Sequence, residues 1–195
     1  ITLIVIYILQ ELLHVKYTAA NLARRYCGST DLPLEPEALA AFLEEKPDLA
    51  YPDPAGFDIV TSGMRRTEET LAAIYGPRPH RADPAFREID FGLFENHSYE
   101  ELKDDPAYQA WITGDNEANV CPGGESGVQM TARVLAAWAQ LTEDTLLVTH
   151  GGVIAAIMAH LFPEAGKHRW QWQPQPFRGY ELTFGDRGPQ YREIP

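Results

Sequence analysis

Apolar residues in this chain fall into short unbroken runs and stripes of helical period, and twice a run leads directly into a stripe. "DIVTS" at 58–62 is β-branched and ends in small polar residues, and "MRRTEETLAAIY" at 64–75 follows with helical composition. "LTEDTLLVTHGGVIAAIMAHLF" repeats the arrangement, with a strand at about 145–149, a glycine turn and an apolar helix. The opening "ITLIVIYIL" reads as a buried strand. It is too short to span a bilayer, which takes about 20 residues, and it lacks the basic start and cleavage site of a signal peptide. Ile1 is not taken as the natural start.

Four further helices are predicted. "PEALAAFLEE" at 36–45 has proline at its start and helix formers after it. "SGVQMTARVLAAWAQL" opens with a Ser-x-x-Gln capping box at Ser126 and Gln129. Val128, Thr131, Leu135, Trp138 and Leu141 then recur at helical spacing and predict its buried face. Segments 92–124 and 163–178 are rich in Pro, Gly, Asp, Asn and Trp and read as long connections, with short helices at 98–103 and 106–112. Strands alternating with helices predict a three-layer α/β/α fold with a mostly parallel central sheet, in a single domain over 1–195. Ligands of such sheets gather beyond the carboxyl ends of the strands, where "TS" at 61–62 and "TH" at 149–150 would lie.

Composition narrows the function classes. A formal net charge of −12 argues against a nucleic-acid surface and an anionic membrane, but leaves room for a small anion held by a few clustered cations. Cys27 and Cys121 have no metal-like spacing and imply no disulfide framework, so they read as reduced thiols of a cytoplasmic protein.

Three residues carry candidate chemistry. His150 ends a strand just before Gly151 and Gly152, where a helix N-terminus and permissive backbone favour an anion. The imidazole there either donates to a phosphate and moves a proton, or merely caps the strand; this stretch alone leaves the two readings even. Arg66 lies one turn into its helix and points back toward the same edge, suiting a grip on phosphate, although a lone arginine is more simply a surface ion pair. Arg65 must face elsewhere. Glu88, in "FREIDFG", lies among apolar neighbours in or beside a short extended stretch. A carboxyl in such surroundings has its charged form disfavoured and can donate a proton. Asp90 and Glu95 compete for that role. Trp111, Trp170, Trp172 and Tyr180 are available to stack on a substrate ring, but more simply pack as core.

Together, "TAANLARRYCGSTDLPL", "TSGMRRTEETL", "FREIDFGLFEN", "CPGGESGVQMTARV" and "LLVTHGG" resemble, in order, the histidine phosphatase superfamily, also called phosphoglycerate mutase-like. The similarity leans toward the α-ribazole-phosphate phosphatase branch. It runs from about Thr18 to near Leu182. The resemblance implies a phosphomonoesterase working through a phosphohistidine on a small phosphorylated metabolite, with no cofactor or metal. By motif position it makes His150 the second histidine, Arg66 the second arginine and Glu88 the acid, with Asn21 and the Gly151 backbone on the phosphate.

The nucleophile block departs from the family's Arg-His-Gly-x-Thr-x-x-Asn. Counting back from Thr18 and Asn21 puts His14, Val15 and Lys16 at the arginine, histidine and glycine positions. A one-residue insertion instead makes His14 the nucleophile, with Leu13 for arginine; a third alignment uses Lys16 and Tyr17. None restores the motif. A non-catalytic binder of phosphorylated ligands is therefore the competing class. A mutase is disfavoured because Lys103 is the only lysine or arginine in 92–124.

Overall fold

A computed structural model describes residues 2–9, 18–115 and 117–195; for 2–9, Asn21 and Leu22 it describes the backbone alone. His14, like Leu13, Val15, Lys16 and Tyr17, lies outside the described residues, as does the side chain of Asn21. In chain order the elements are β1 (Thr2–Leu9), α1 (Ala19–Leu22), α2 (Pro36–Glu45), β2 (Asp58–Thr61), α3 (Arg65–Tyr75) and β3 (Arg81–Ala82). There follow α4 (Tyr99–Leu102), α5 (Pro106–Ile112), α6 (Gly127–Trp138), β4 (Thr145–His150), α7 (Gly151–Leu161), β5 (Gly179–Gly185) and β6 (Gly188–Ile194).

The six strands form one sheet in the order β3-β2-β4-β1-β5-β6. β3, β2, β4 and β1 run parallel, while β5 pairs antiparallel with both β1 and β6. This is the mostly parallel α/β sheet the alternation predicts. β3 and β6 carry no comparable signal in the sequence. β4 is buried along its whole length, as its unbroken apolar run requires of a strand covered on both faces.

The two faces of β4 send its side chains into different cores. Leu147 joins Met130 and Val134 of α6 and Val153, Ile154 and Ile157 of α7. Leu146 and Val148 meet Leu71 of α3 with Ile59 and Ile194. Because strand side chains alternate, His150 shares the face of Leu146 and Val148 and is directed to α3. The parallel register sets Leu9 beside His150 and Thr61 beside Val148, so β1, β2 and β4 all end at one edge.

The buried stripe of α6 differs in phase from the predicted one. Gly127, Met130 and Val134 are buried, with Ala137, Trp138 and Leu141 packed against the same core, whereas Val128 is 57 % exposed. The helix carries two overlapping apolar stripes that share Trp138 and Leu141, and tertiary packing selects the one through Met130. The capping box at Ser126 and Gln129 is present as predicted. Residues 87–91, expected in or beside an extended stretch, belong to no strand. The 92–124 connection carries α4, α5 and its own aromatic core of Phe94, Leu102, Tyr108, Trp111 and Cys121. Among the described residues, no helix is long and apolar enough to cross a membrane.

Candidate active site

The site lies where β2 and β4 hand over to α3 and α7. After Thr61 the chain turns through Ser62 and Gly63, whose φ of 75° is a left-handed value that favours glycine. α3 then starts, and its second residue is Arg66. The Arg66 side chain folds back toward the sheet edge and is 5 % exposed. Its guanidinium donates to the Thr30 carbonyl at 2.9 Å, the Gly28 carbonyl at 2.7 Å and Nδ1 of His150 at 3.3 Å. Arg65 is exposed and pairs with Glu69, as its position predicts.

His150 is the last residue of β4 and the N-cap of α7, and it is 1 % exposed. Its imidazole turns to Arg66 and to the Ser62 hydroxyl, which lies 2.8 Å from Nε2. The ring is thus built into a polar cluster at the end of the strand. Gly151 opens α7 and is buried beside it.

Glu88 closes the arrangement from the other side. Its Oε2 accepts from the Gly152 amide at 2.9 Å, in the first turn of α7. A Cβ added at Gly152 would meet Glu88 Oε1 at 2.3 Å, so glycine at 152 is what lets the carboxylate approach the helix. The competing acids are committed elsewhere. Glu95 accepts from the amides of Gly28, Ser29, Thr30 and Phe91 and from the Thr30 hydroxyl, and so fixes the loop that holds Arg66. Asp90 accepts from the Ser29 hydroxyl and the Gly92 amide. Hydrogen bonding thus singles out Glu88 as the carboxylate beside α7.

The backbone around Glu88 is held by a residue that sequence reasoning did not select. Arg133 of α6 donates to the carbonyls of Ala85, Arg87 and Glu88 at 3.0, 2.8 and 3.0 Å and forks onto both Glu125 oxygens. Irregular backbone carries unpaired carbonyls that need donors, and one guanidinium supplies them here. Ser62, which reaches the His150 ring, and Thr67, which bonds to Ser62, are both buried and were likewise not selected; "TS" marked only the end of the strand.

Electrostatics favour a neutral imidazole. Burial pushes the His150 pKa well below its ordinary value, and the charges of Arg66, Arg133 and Arg87 push it the same way. Burial also lowers Arg66, opposed by Cys27, Glu88, Asp31 and Glu95, yet a guanidinium stays protonated in proteins. The cluster is therefore a fixed cation and a neutral, protonatable ring beside the positive end of a helix. Such a place suits an anion. Among the described residues, no three His, Cys, Asp or Glu side chains converge as metal ligands would.

Of the aromatic candidates, Trp111, Trp172 and Tyr180 are buried in the core. Trp170 is 45 % exposed, with the Arg169 guanidinium 4.4 Å from its ring centroid.

A family model described as "Histidine phosphatase superfamily (branch 1)" matches residues 17–194. The chain belongs to the histidine phosphatase superfamily. The matched span holds Arg66, Glu88 and His150 and starts after His14. Solved structures share the superfamily fold over nearly the full length. An alpha-ribazole phosphatase from Shigella flexneri is 20% identical, covering 99% of this chain and 96% of its own, with a TM-score of 0.81. A candidate alpha-ribazole-5'-P phosphatase from Escherichia coli K-12 is 19% identical, with coverages of 99% and 95% and a TM-score of 0.82. A phosphoglycerate mutase from Thermus thermophilus is 25% identical, with coverages of 100% and 98% and a TM-score of 0.68. A comparison with curated protein sequences found no match.

Proposed function

We propose that this member of the histidine phosphatase superfamily is a phosphomonoesterase acting on a small phosphorylated metabolite. The observation that carries the reading is the contact of the Arg66 guanidinium with the His150 ring at the start of α7, with Glu88 on the amide of the same turn. The charge of a phosphoryl group meets a guanidinium, an imidazole and the positive end of a helix before reaction begins, so little reorganisation is needed as charge develops.

In this reading a histidine nitrogen attacks phosphorus and an N–P bond forms as the ester P–O bond breaks. The departing oxygen takes its proton from Glu88. Water then attacks phosphorus, returns a proton to the Glu88 carboxylate, and the N–P bond breaks to release orthophosphate. His14 is the proposed nucleophile and Asn21 a further phosphate contact; both assignments come from motif position. The names of the E. coli and Shigella neighbours, with "RYCGSTDLPL" in this chain, favour a nucleotide-like leaving group. A mutase needs a second anion clamp, and Lys103 is already paired with Glu100 at 2.7 Å.

A second reading has its own observation: ungapped alignment of the first block places Val15 at the nucleophile position, and valine cannot attack phosphorus. The chain would then bind phosphorylated ligands without turning them over. Trapping separates the two. Incubation with labelled aryl phosphate and a rapid quench should leave acid-labile, alkali-stable phosphate on the protein, lost in His14→Ala. Absence of label, with orthovanadate still bound, would overturn catalysis in favour of binding.

A further inference from the structure

The hydrogen bonds that run inward from His150 have only one consistent direction. Arg66 Nε carries a proton under all ordinary conditions and donates to His150 Nδ1 at 3.3 Å, so Nδ1 is a bare acceptor. A neutral imidazole with bare Nδ1 has its proton on Nε2, and the Ser62 hydroxyl 2.8 Å away must accept it. At the far end, Thr67 Oγ1 lies 2.7 Å from the Met64 carbonyl, which can only accept. Thr67 therefore donates there and accepts from Ser62, 3.0 Å away. Ser62 also accepts from the Met64 amide at 3.4 Å, each hydroxyl gives its single proton onward, and Ser62, Thr67 and His150 are all buried.

We infer that Ser62 and Thr67 are positioning residues that hold the His150 proton on Nε2, leaving Nδ1 as the one ring nitrogen open to protonation on the side of the anion site. The side chains do this without touching the ligand. Nδ1 lies toward the Arg66 guanidinium, where a phosphoryl oxygen would arrive, and a proton gained by the ring is added there. Among the described residues, the charged groups bearing on the ring are Arg66 on α3, Arg87 from the segment after β3 and Arg133 on α6, with the Glu88 carboxylate on the Gly152 amide in the first turn of α7. Burial first, and then the charges of Arg66, Arg133 and Arg87, keep the ring neutral, which the chain of bonds requires.

The inference rests on the phosphate-site reading only for its purpose; its test does not. Nitrogen-15 spectra of the resting protein, labelled at histidine and assigned through His150→Gln, report which ring nitrogen bears the proton and how fast that proton exchanges. Wild type should show Nε2–H alone. Ser62→Ala and Thr67→Val should exchange that proton about tenfold faster, the effect expected of losing one buried hydrogen bond. Thr67→Ser, which keeps the hydroxyl, should behave as wild type. A wild-type proton on Nδ1 would overturn the inference, as would unchanged exchange in both Ser62→Ala and Thr67→Val. An intact Nε2–H in a protein that hydrolyses nothing would support it and count only against the phosphatase reading.

Discussion

Replacing Arg133 with methionine tests how much of the site depends on one side chain that never enters it. Methionine keeps an apolar stem of similar reach and removes the donor fork. The change strands three carbonyls, those of Ala85, Arg87 and Glu88, and leaves Glu125 without its cation. The side chains are 28 % and 18 % exposed. An exposed ion pair contributes about 0.2–1 kcal/mol, while breaking a fully buried one costs roughly 3–5 kcal/mol. Partial access of water to Arg133 and Glu125 places the loss between these limits, at about 2–4 kcal/mol. For a domain of this size that lowers Tm by roughly 5–15 °C, at about 2–4 °C per kcal/mol. Urea unfolding followed by fluorescence measures it directly, and the slope with denaturant should stay constant, since the same surface is exposed. Arg133→Lys should fall between, keeping the charge but not the fork. A loss below about 0.5 kcal/mol, typical of a neutral surface change, would refute the claim that Arg133 holds the backbone of Glu88.

Gly152→Ala should move the Glu88 carboxylate off the helix amide, because the new methyl would sit 2.3 Å from Oε1. Turnover should fall at least tenfold while phosphate affinity changes little, and equal losses in both would contradict the proton-donor role. Unfolding at several pH values should reveal His150. Its native pKa lies below the unfolded value of about 6.5, so above that pH both states are neutral and its contribution is constant. Below it the unfolded chain binds a proton that the native protein refuses, and stability falls by up to about 1.4 kcal/mol per pH unit until the native pKa is reached. His150→Asn should flatten that fall, and superimposable profiles would exclude the buried neutral ring. Introducing an Arg-His-Gly motif within "LHVK" at 13–16 should raise hydrolysis of aryl phosphates by orders of magnitude; no gain would contradict the reading that this block limits catalysis.

Local pattern made much of the architecture legible. β2 into α3 and β4 into α7 are continuous in sequence, and each apolar run or stripe announces its own element. The same hand-overs carry Arg66 and His150, which is why both could be placed at one sheet edge. Longer-range features were not legible in the same way. The phase of α6 depended on which of two overlapping stripes met α7, and periodicity alone does not decide that. The choice of Glu88 over Asp90 and Glu95 depended on hydrogen bonds reaching from Glu95 to residues 28–30 and from Gly152 to Glu88. Arg133 supports a loop 45 positions away from it, and no spacing rule connects them. Ser62 and Thr67 resemble any pair of buried hydroxyls until His150 is set against them.

Titration of orthovanadate, a phosphate mimic, into the wild-type protein and into Arg66→Gln and His150→Gln tests the shared anion site most directly. Wild type should bind, and each substitution should weaken binding about tenfold or more while leaving the fold intact by circular dichroism, as expected of a lost charge-assisted hydrogen bond. Equal affinity in all three would contradict the site.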